Sequence, residues 1–121
     1  MANELTIAIT LEVTLDGVTR KWPREEQSIT VTGTRFVWHK QEVGTSEEAL
    51  ELGDISTGGW AIMANRDSTN FVEIRSGTGG TNLIKIKAGE TCCVRLSGDA
   101  SAPYAIADTA AVELEIFMLE D

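Results

Sequence analysis

Residues 4–15 read Glu4-Leu5-Thr6-Ile7-Ala8-Ile9-Thr10-Leu11-Glu12-Val13-Thr14-Leu15, with an aliphatic side chain at every odd position. A period of two puts all of these on one face of a pleated strand and the residues between them on the other. At ~3.3 Å per residue the segment spans about 40 Å, roughly twice the usual strand length. A strand so long runs the whole length of a sandwich, bends from one sheet to another, or reaches a neighbouring subunit.

The rest of the chain continues in the same idiom. Asp16-Gly17 supplies a turn, because glycine takes positive φ without a Cβ clash. Residues 18–22 form a short return strand, stopped by Pro23, which has no N–H for a ladder, and by the charged Arg24-Glu25-Glu26. Residues 28–32 alternate again through Ile29 and Val31, and residues 36–43 form another strand. In Gly44-Thr45-Ser46-Glu47-Glu48-Ala49-Leu50, Thr45 and Glu48 have capping-box spacing, which predicts one or two helical turns ended by Gly53. Beyond Ile55 the pattern is a meander. Residues 60–64 are apolar on both faces, as in a central strand, with Trp60 in the core. Strands follow over 71–75, 83–87, 91–96, 104–107 and 112–119. Between them lie a polar loop at 65–70, a hairpin tip at Gly77-Thr78-Gly79-Gly80, a turn at Ala88-Gly89-Glu90 and a surface loop at 97–103. Eight to ten short strands with at most one short helical turn predict an all-β fold. The expected architecture is an antiparallel β-sandwich or jelly-roll-like domain covering residues 1–121 as one unit.

Charge narrows the partners. Ten basic against 19 acidic side chains give a formal charge of −9, and the basic ones are scattered. Binding to nucleic acid begins with Lys and Arg displacing counterions from phosphates, so neither nucleic acid nor an anionic membrane surface is an expected partner. The start, Met1-Ala2-Asn3-Glu4, lacks the basic and apolar regions of a secretory signal. Cys92 and Cys93 are neighbours; in a strand their side chains point to opposite faces, which suits no disulfide between them. One is expected to fill the core and the other to be exposed or packed under a neighbour, in a protein made in a reducing cytoplasm.

No pattern of residue types in the sequence marks a catalytic or metal site. His39 is the single histidine, and a zinc site would need it together with two cysteines that cannot converge on one ion. No Gly-x-Ser-x-Gly elbow accompanies it. Glu47, Glu48, Glu113 and Glu115 read as solvated positions of a turn and of an alternating strand. Asn65-Arg66-Asp67-Ser68-Thr69-Asn70 offers alternate oxygen ligands but lacks the glycine and terminal glutamate of a calcium loop, and Asx turns account for its composition. Gly77-Thr78-Gly79-Gly80 is not followed by the Lys-Ser/Thr of a phosphate-binding loop. No catalytic residue, metal or cofactor is expected. Trp22, beside Pro23, is the aromatic side chain placed for contact with a ligand such as a sugar. In the last strand Val112, Leu114, Ile116 and Met118 share one face, while the opposite face turns from Glu113 and Glu115 to Phe117 and Leu119. An apolar second face at a strand end marks an interface. With Leu5, Ile7, Ile9 and Leu11 it predicts a homo-oligomer, a trimer or higher.

Several segments in residues 44–121 are also familiar together. Gly44-Thr45-Ser46-Glu47-Glu48-Ala49-Leu50, Gly58-Gly59-Trp60-Ala61, Asn65-Arg66-Asp67-Ser68-Thr69-Asn70-Phe71-Val72 and Lys87-Ala88-Gly89-Glu90 are followed by residues 104–112, Tyr104-Ala105-Ile106-Ala107-Asp108-Thr109-Ala110-Ala111-Val112, and by a terminal Leu119-Glu120-Asp121. This succession resembles small structural proteins of tailed bacteriophages. The resemblance rests on turn and strand-entry motifs, so it carries over no functional residue. It implies a β-sandwich present in many copies on the virion, as a capsid-decorating, head-fibre, neck or tail accessory protein. Its partners would be other copies of itself and a major capsid, neck or tail protein. A carbohydrate- or receptor-binding sandwich is the alternative.

Overall fold

A computed structural model describes residues 4–98 and 103–121, and among these there is no helix. The strands are β1 (Glu4–Leu15), β2 (Val18–Thr30), β3 (Phe36–Val43), β4 (Glu48–Ala49), β5 (Gly58–Asn65), β6 (Val72–Arg75), β7 (Asn82–Ile86), β8 (Thr91–Arg95), β9 (Tyr104–Ala107) and β10 (Val112–Glu120). All pair antiparallel, in one two-stranded and two four-stranded sheets. The all-β expectation holds. The contacts divide the chain into two compact units, residues 1–32 and 33–121.

The first unit is a hairpin. Asp16 (φ 48°) and Gly17 (φ 76°) are both left-handed, the requirement of the two-residue turn whose twist matches its flanking strands. β2 does not stop at Pro23 as its sequence suggests; it continues to Thr30. The reason lies in the register, in which Ile9 faces Glu25 while Leu11 faces Trp22. Pro23 and Arg24 together oppose Thr10, so the proline sits in a β-bulge, one of the few places in a ladder where a missing N–H costs little. Thr10 Oγ1 donates to the Trp22 carbonyl beside the bulge (3.3 Å).

Residues 33–121 form one long antiparallel ribbon rolled upon itself. β3 pairs with β10, β4 with β9, β5 with β8, and β6 with β7, around the tip at residues 76–81. Rolling places β10 between β3 and β5, and β6 between β9 and β7, giving sheets β3-β10-β5-β8 and β4-β9-β6-β7. Eight strands so arranged make a jelly roll, a sandwich of two sheets. Both sheets turn their apolar faces to a shared core. Val112, Leu114, Ile116 and Met118 of β10 are fully buried in it.

Two local expectations change. Residues 44–50 bend without a helical turn: Glu48 reaches back to the Gly44 N–H (3.2 Å) and accepts from Gln41 Nε2 (3.1 Å), tying the segment to β3. Trp60 is half-buried rather than in the core, because its pleat position opposite Arg95 belongs to the outer face of β5. The inward positions are Ala61, Met63 and Asn65.

Asn65 organises the loop that follows it. Only 1 % exposed, it donates from Nδ2 to the carbonyls of Asn70 and Ile86 (both 2.9 Å). Its Oδ1 accepts from the Asp67 N–H (2.8 Å). The Asp67 carboxylate in turn accepts from the Thr69 and Asn70 N–H groups (3.0 and 2.6 Å). These Asx turns commit the loop's oxygens to its own backbone. The Asn70 amide first, and the Thr69 amide with it, hold the Asp67 carboxyl below its ordinary value.

At the ribbon's tip both Glu47 oxygens accept the Gly79 N–H (3.0 Å), and Oε2 also meets the Arg75 guanidinium (2.7 Å). The Gly79 amide above all, with Arg75, lowers the Glu47 pKa from its ordinary 4.5. A carboxylate with a lowered folded pKa contributes stability above its unfolded value and loses it as the pH falls through the folded one. Glu47→Gln is therefore expected to melt below the wild type at neutral pH. The gap should close as the pH drops below 4.5, and melting curves across that range check it.

Candidate interaction surfaces

Two apolar surfaces lie outside the core, one in each unit. On the hairpin, directly opposed residues share a face. One face is built from the pairs Leu5–Ile29, Ile7–Gln27, Ile9–Glu25, Leu11–Trp22, Val13–Arg20 and Leu15–Val18. The other carries Glu4–Thr30, Thr6–Ser28, Ala8–Glu26, Glu12–Lys21 and Thr14–Thr19. Polarity thus segregates fully along β1, whereas β2 sets Gln27, Glu25 and Arg20 among the apolar residues of the first face. In β2 the residues of the apolar face are odd-numbered from Ile29 to Glu25 and even-numbered from Trp22 to Val18. The bulge absorbs the extra residue and keeps Trp22 and Val18 on the same side as Ile29.

This face is open. Leu11 is 64 % exposed, Leu15 69 % and Trp22 58 %. Leu5, Ile7 and Ile29 at the far end are half-buried, and Ile9 is exposed. Of the residues singled out from sequence, Leu5, Ile7, Ile9 and Leu11 lie on one face, and Trp22 stands directly across from Leu11. An isolated two-stranded hairpin is at best marginally stable in water, so an uncovered apolar face on one is a demand for a cover.

The second surface is the outer face of the sheet containing β10. Phe117 lies between Trp38 of β3 and Ile62 of β5, and Leu119 is opposite Phe36. The Phe117 ring stacks on Phe36 at 5.7 Å and meets Trp38 edge-on at 5.0 Å. Phe36 and Trp38 remain exposed, as does Ile62, whereas Phe117 and Leu119 are half-buried beneath them. Sequence inspection missed Phe36 and Trp38, although a signal was there. Residues 36 and 38 precede Lys40 and Glu42 at the same parity, the mirror image of Glu113 and Glu115 preceding Phe117 and Leu119. Antiparallel pairing superposes the two apolar ends.

A polar clasp edges this patch. Glu115 accepts from Trp38 Nε1 and from Arg66 Nε, both at 2.8 Å. The Trp38 N–H first, then Arg66, hold the Glu115 carboxyl below its ordinary value, so Glu115 is a bound carboxylate rather than the freely solvated one its alternation suggested. Between the clasp, Ile62 and Phe117 lies a cleft of about 300 Å³. On the same outer face the half-buried Trp60 has an Nε1–H that is shielded from solvent and without an acceptor.

The other chemistry-bearing residues are occupied locally. His39 Nε2 donates to the Glu51 carbonyl (2.8 Å). Cys92 packs against the core and Cys93 is exposed, both as free thiols, and burial raises the Cys92 pKa. Among the described residues no three His, Cys, Asp or Glu side chains gather as a metal site. No protein-family model, curated protein or solved structure matches the chain.

Proposed function

We propose that this chain is a non-enzymatic structural protein of a tailed-bacteriophage particle, made in the host cytoplasm, which self-associates and docks on a capsid, neck or tail protein. The observation that carries the reading is the hairpin's apolar face, exposed at Leu11, Leu15 and Trp22. Covering such a face stabilises by about 25 cal/mol per Å² of apolar surface removed from water. The aromatic patch around Phe117 gives the jelly roll a second contact of its own. Jelly rolls recur in viral capsid domains, which supports the assignment by analogy of fold only.

Sedimentation of the full chain over a range of micromolar concentrations tests the self-association. The expected result is a mass rising above that of one chain. Leu11→Asp, which sets a carboxylate in the middle of the apolar face, should return it to the monomer and leave the jelly roll's melting unchanged. A wild-type chain monomeric throughout would overturn the self-association. Mass spectrometry of purified particles checks the virion assignment, and absence of the chain from them would overturn it.

The cleft beside Trp38 favours a second reading, a sugar- or receptor-binding sandwich. An exposed indole next to a fixed carboxylate and a guanidinium offers a ring to stack on and polar groups to orient a sugar. Glycan-array binding lost on Trp38→Ala and kept on Trp22→Ala is the result that would favour it.

A further inference from the structure

The hairpin's apolar face is not purely apolar, and its two charges restrict what can cover it. Arg20 lies opposite Val13 and Glu25 opposite Ile9, both on the apolar face of β2 and on either side of the Leu11–Trp22 pair. The β2 ion pair in the structure is Arg24–Glu26 (2.8 Å). Arg20 and Glu25 have no ionic partner among the described residues. An apolar cover would leave both charges buried and unpaired, at a heavy desolvation cost. A cover of stated charge is needed: acidic where Arg20 lies, basic where Glu25 lies, and apolar between.

A second copy of the same face has that pattern when it is turned end for end. From this we infer that two chains pair through their hairpins, apolar face to apolar face. The strands run in opposite directions about a two-fold axis passing at the level of Leu11 and Trp22. This rests on the self-association proposed above and assigns its geometry. An axis lying across the strands between the two sheets sets β2 over β2 and β1 over β1. Arg20 of each chain then meets Glu25 of the other, twice per pair. Trp22 meets Trp22 at the centre, where aromatic anchors contribute most to a contact. On β1, Leu11 meets Leu11, Ile9 meets Val13, and Ile7 meets Leu15.

The alternatives fail on the same two residues. A two-fold axis running along the strands sets β1 over β2 at unchanged level, so Arg20 faces Val13 and Glu25 faces Ile9, each unpaired. A parallel three-fold bundle brings three Arg20 side chains to one level and three Glu25 to another, like against like. Burial within the single chain agrees with the end-for-end arrangement. With the axis at Leu11–Trp22, the pair Leu5–Ile29 is the one left beyond the overlap. Those two side chains are already half-buried, as is Ile7 at the edge of the overlap, while Ile9, Leu11, Val13, Leu15, Val18 and Trp22 inside it are exposed.

The footprint sets the strength. A ribbon two strands wide and about 30 Å long within the overlap covers a few hundred Å² per chain, below the ~800 Å² per partner of a standard interface. The pairing is accordingly reversible, and its dissociation is open to measurement at accessible concentrations.

Charge reversal tests the geometry in the full chain by sedimentation equilibrium. Both positions are solvent-exposed in the single chain. In end-for-end pairs Arg20→Glu alone sets carboxylate against carboxylate twice, and Glu25→Arg alone sets guanidinium against guanidinium twice. Each should weaken association by about tenfold or more. The double variant Arg20→Glu/Glu25→Arg restores opposite charges at both contacts and should recover wild-type association. An equimolar mixture of the two single variants should associate as well as the wild type. If the wild type associates but neither single variant weakens it, or the double variant fails to recover, the end-for-end geometry is wrong and self-association stands. If the wild type does not associate at all, both fall.

Discussion

Asn65→Ala is expected to lower the unfolding free energy of residues 33–121 by about 3–5 kcal/mol, a large share of the 5–15 kcal/mol typical of a domain. The substitution removes three hydrogen bonds at once. It leaves the Ile86 and Asn70 carbonyls and the Asp67 N–H without the partner they have now. A buried backbone group deprived of its partner costs about 1–3 kcal/mol, more than an average bond contributes when both partners are present. Water can reach the two loop groups more easily than the Ile86 carbonyl, which keeps the total below the sum of three full penalties. Asn65→Asp separates shape from donation: it is nearly isosteric, but a carboxylate cannot donate to two carbonyls, so its loss should equal or exceed that of alanine. Urea unfolding followed by tryptophan fluorescence in a Trp22→Phe background reads the jelly roll alone, through Trp38 and Trp60. A loss under about 1 kcal/mol for Asn65→Ala would show that the loop is ordered by other means.

Ile116→Ala should cost about 3–4 kcal/mol, near the middle of the range for aliphatic truncation in a packed core. The residue is fully buried and sits on β10 between His39 of β3 and Met63 of β5. Strands on both sides hold the backbone in place, so the cavity cannot easily collapse. Leu119→Ala, one residue past the inward Met118, is the control. Its side chain lies on the outer face opposite Phe36, and its truncation should cost well under half as much. The same urea transitions, with unchanged slope, check both. Equal losses at the two positions would contradict the division of β10 into a core face and a contact face.

How much of this was visible in the sequence depends on whether a signal was local. The alternations in residues 4–15 and 112–119 are local, and each gave its strand and its apolar face, which is largely exposed in the first and buried in the second. The Asp16-Gly17 turn and the glycine-rich tip at 77–80 were equally plain, because positive φ restricts the choice of residue. The rolled ribbon was not local: nothing in β3 announces that it lies beside β10, and the Phe36–Trp38–Phe117 patch exists only through that pairing. Pro23 misled for the opposite reason. A proline stops a regular ladder, but register decides whether it falls on a ladder position or in a bulge, and register is a property of two strands. Trp60 was misplaced because residues 60–64 are apolar at both parities, so sequence alone could not say which parity faces in. Glu48 likewise had the spacing of a helix cap, yet Gln41 and the Gly44 amide offered it partners within β3 and the adjoining bend.

The bulge also bears on the shape of the hairpin. Strand β1 has 12 residues and β2 has 13, so the two rails of the ribbon differ in length over the same run. A track with one rail longer than the other cannot lie flat; it bends at the surplus and coils more tightly in the right-handed sense strands already favour. Deleting either Pro23 or Arg24 would equalise the rails and leave every apolar side chain on its present side, since Trp22 would then follow Glu25 at the normal spacing of two. What the surplus residue supplies is therefore curvature rather than polarity. A partner that covers this face has to wind along it, as one strand of a rope winds along another.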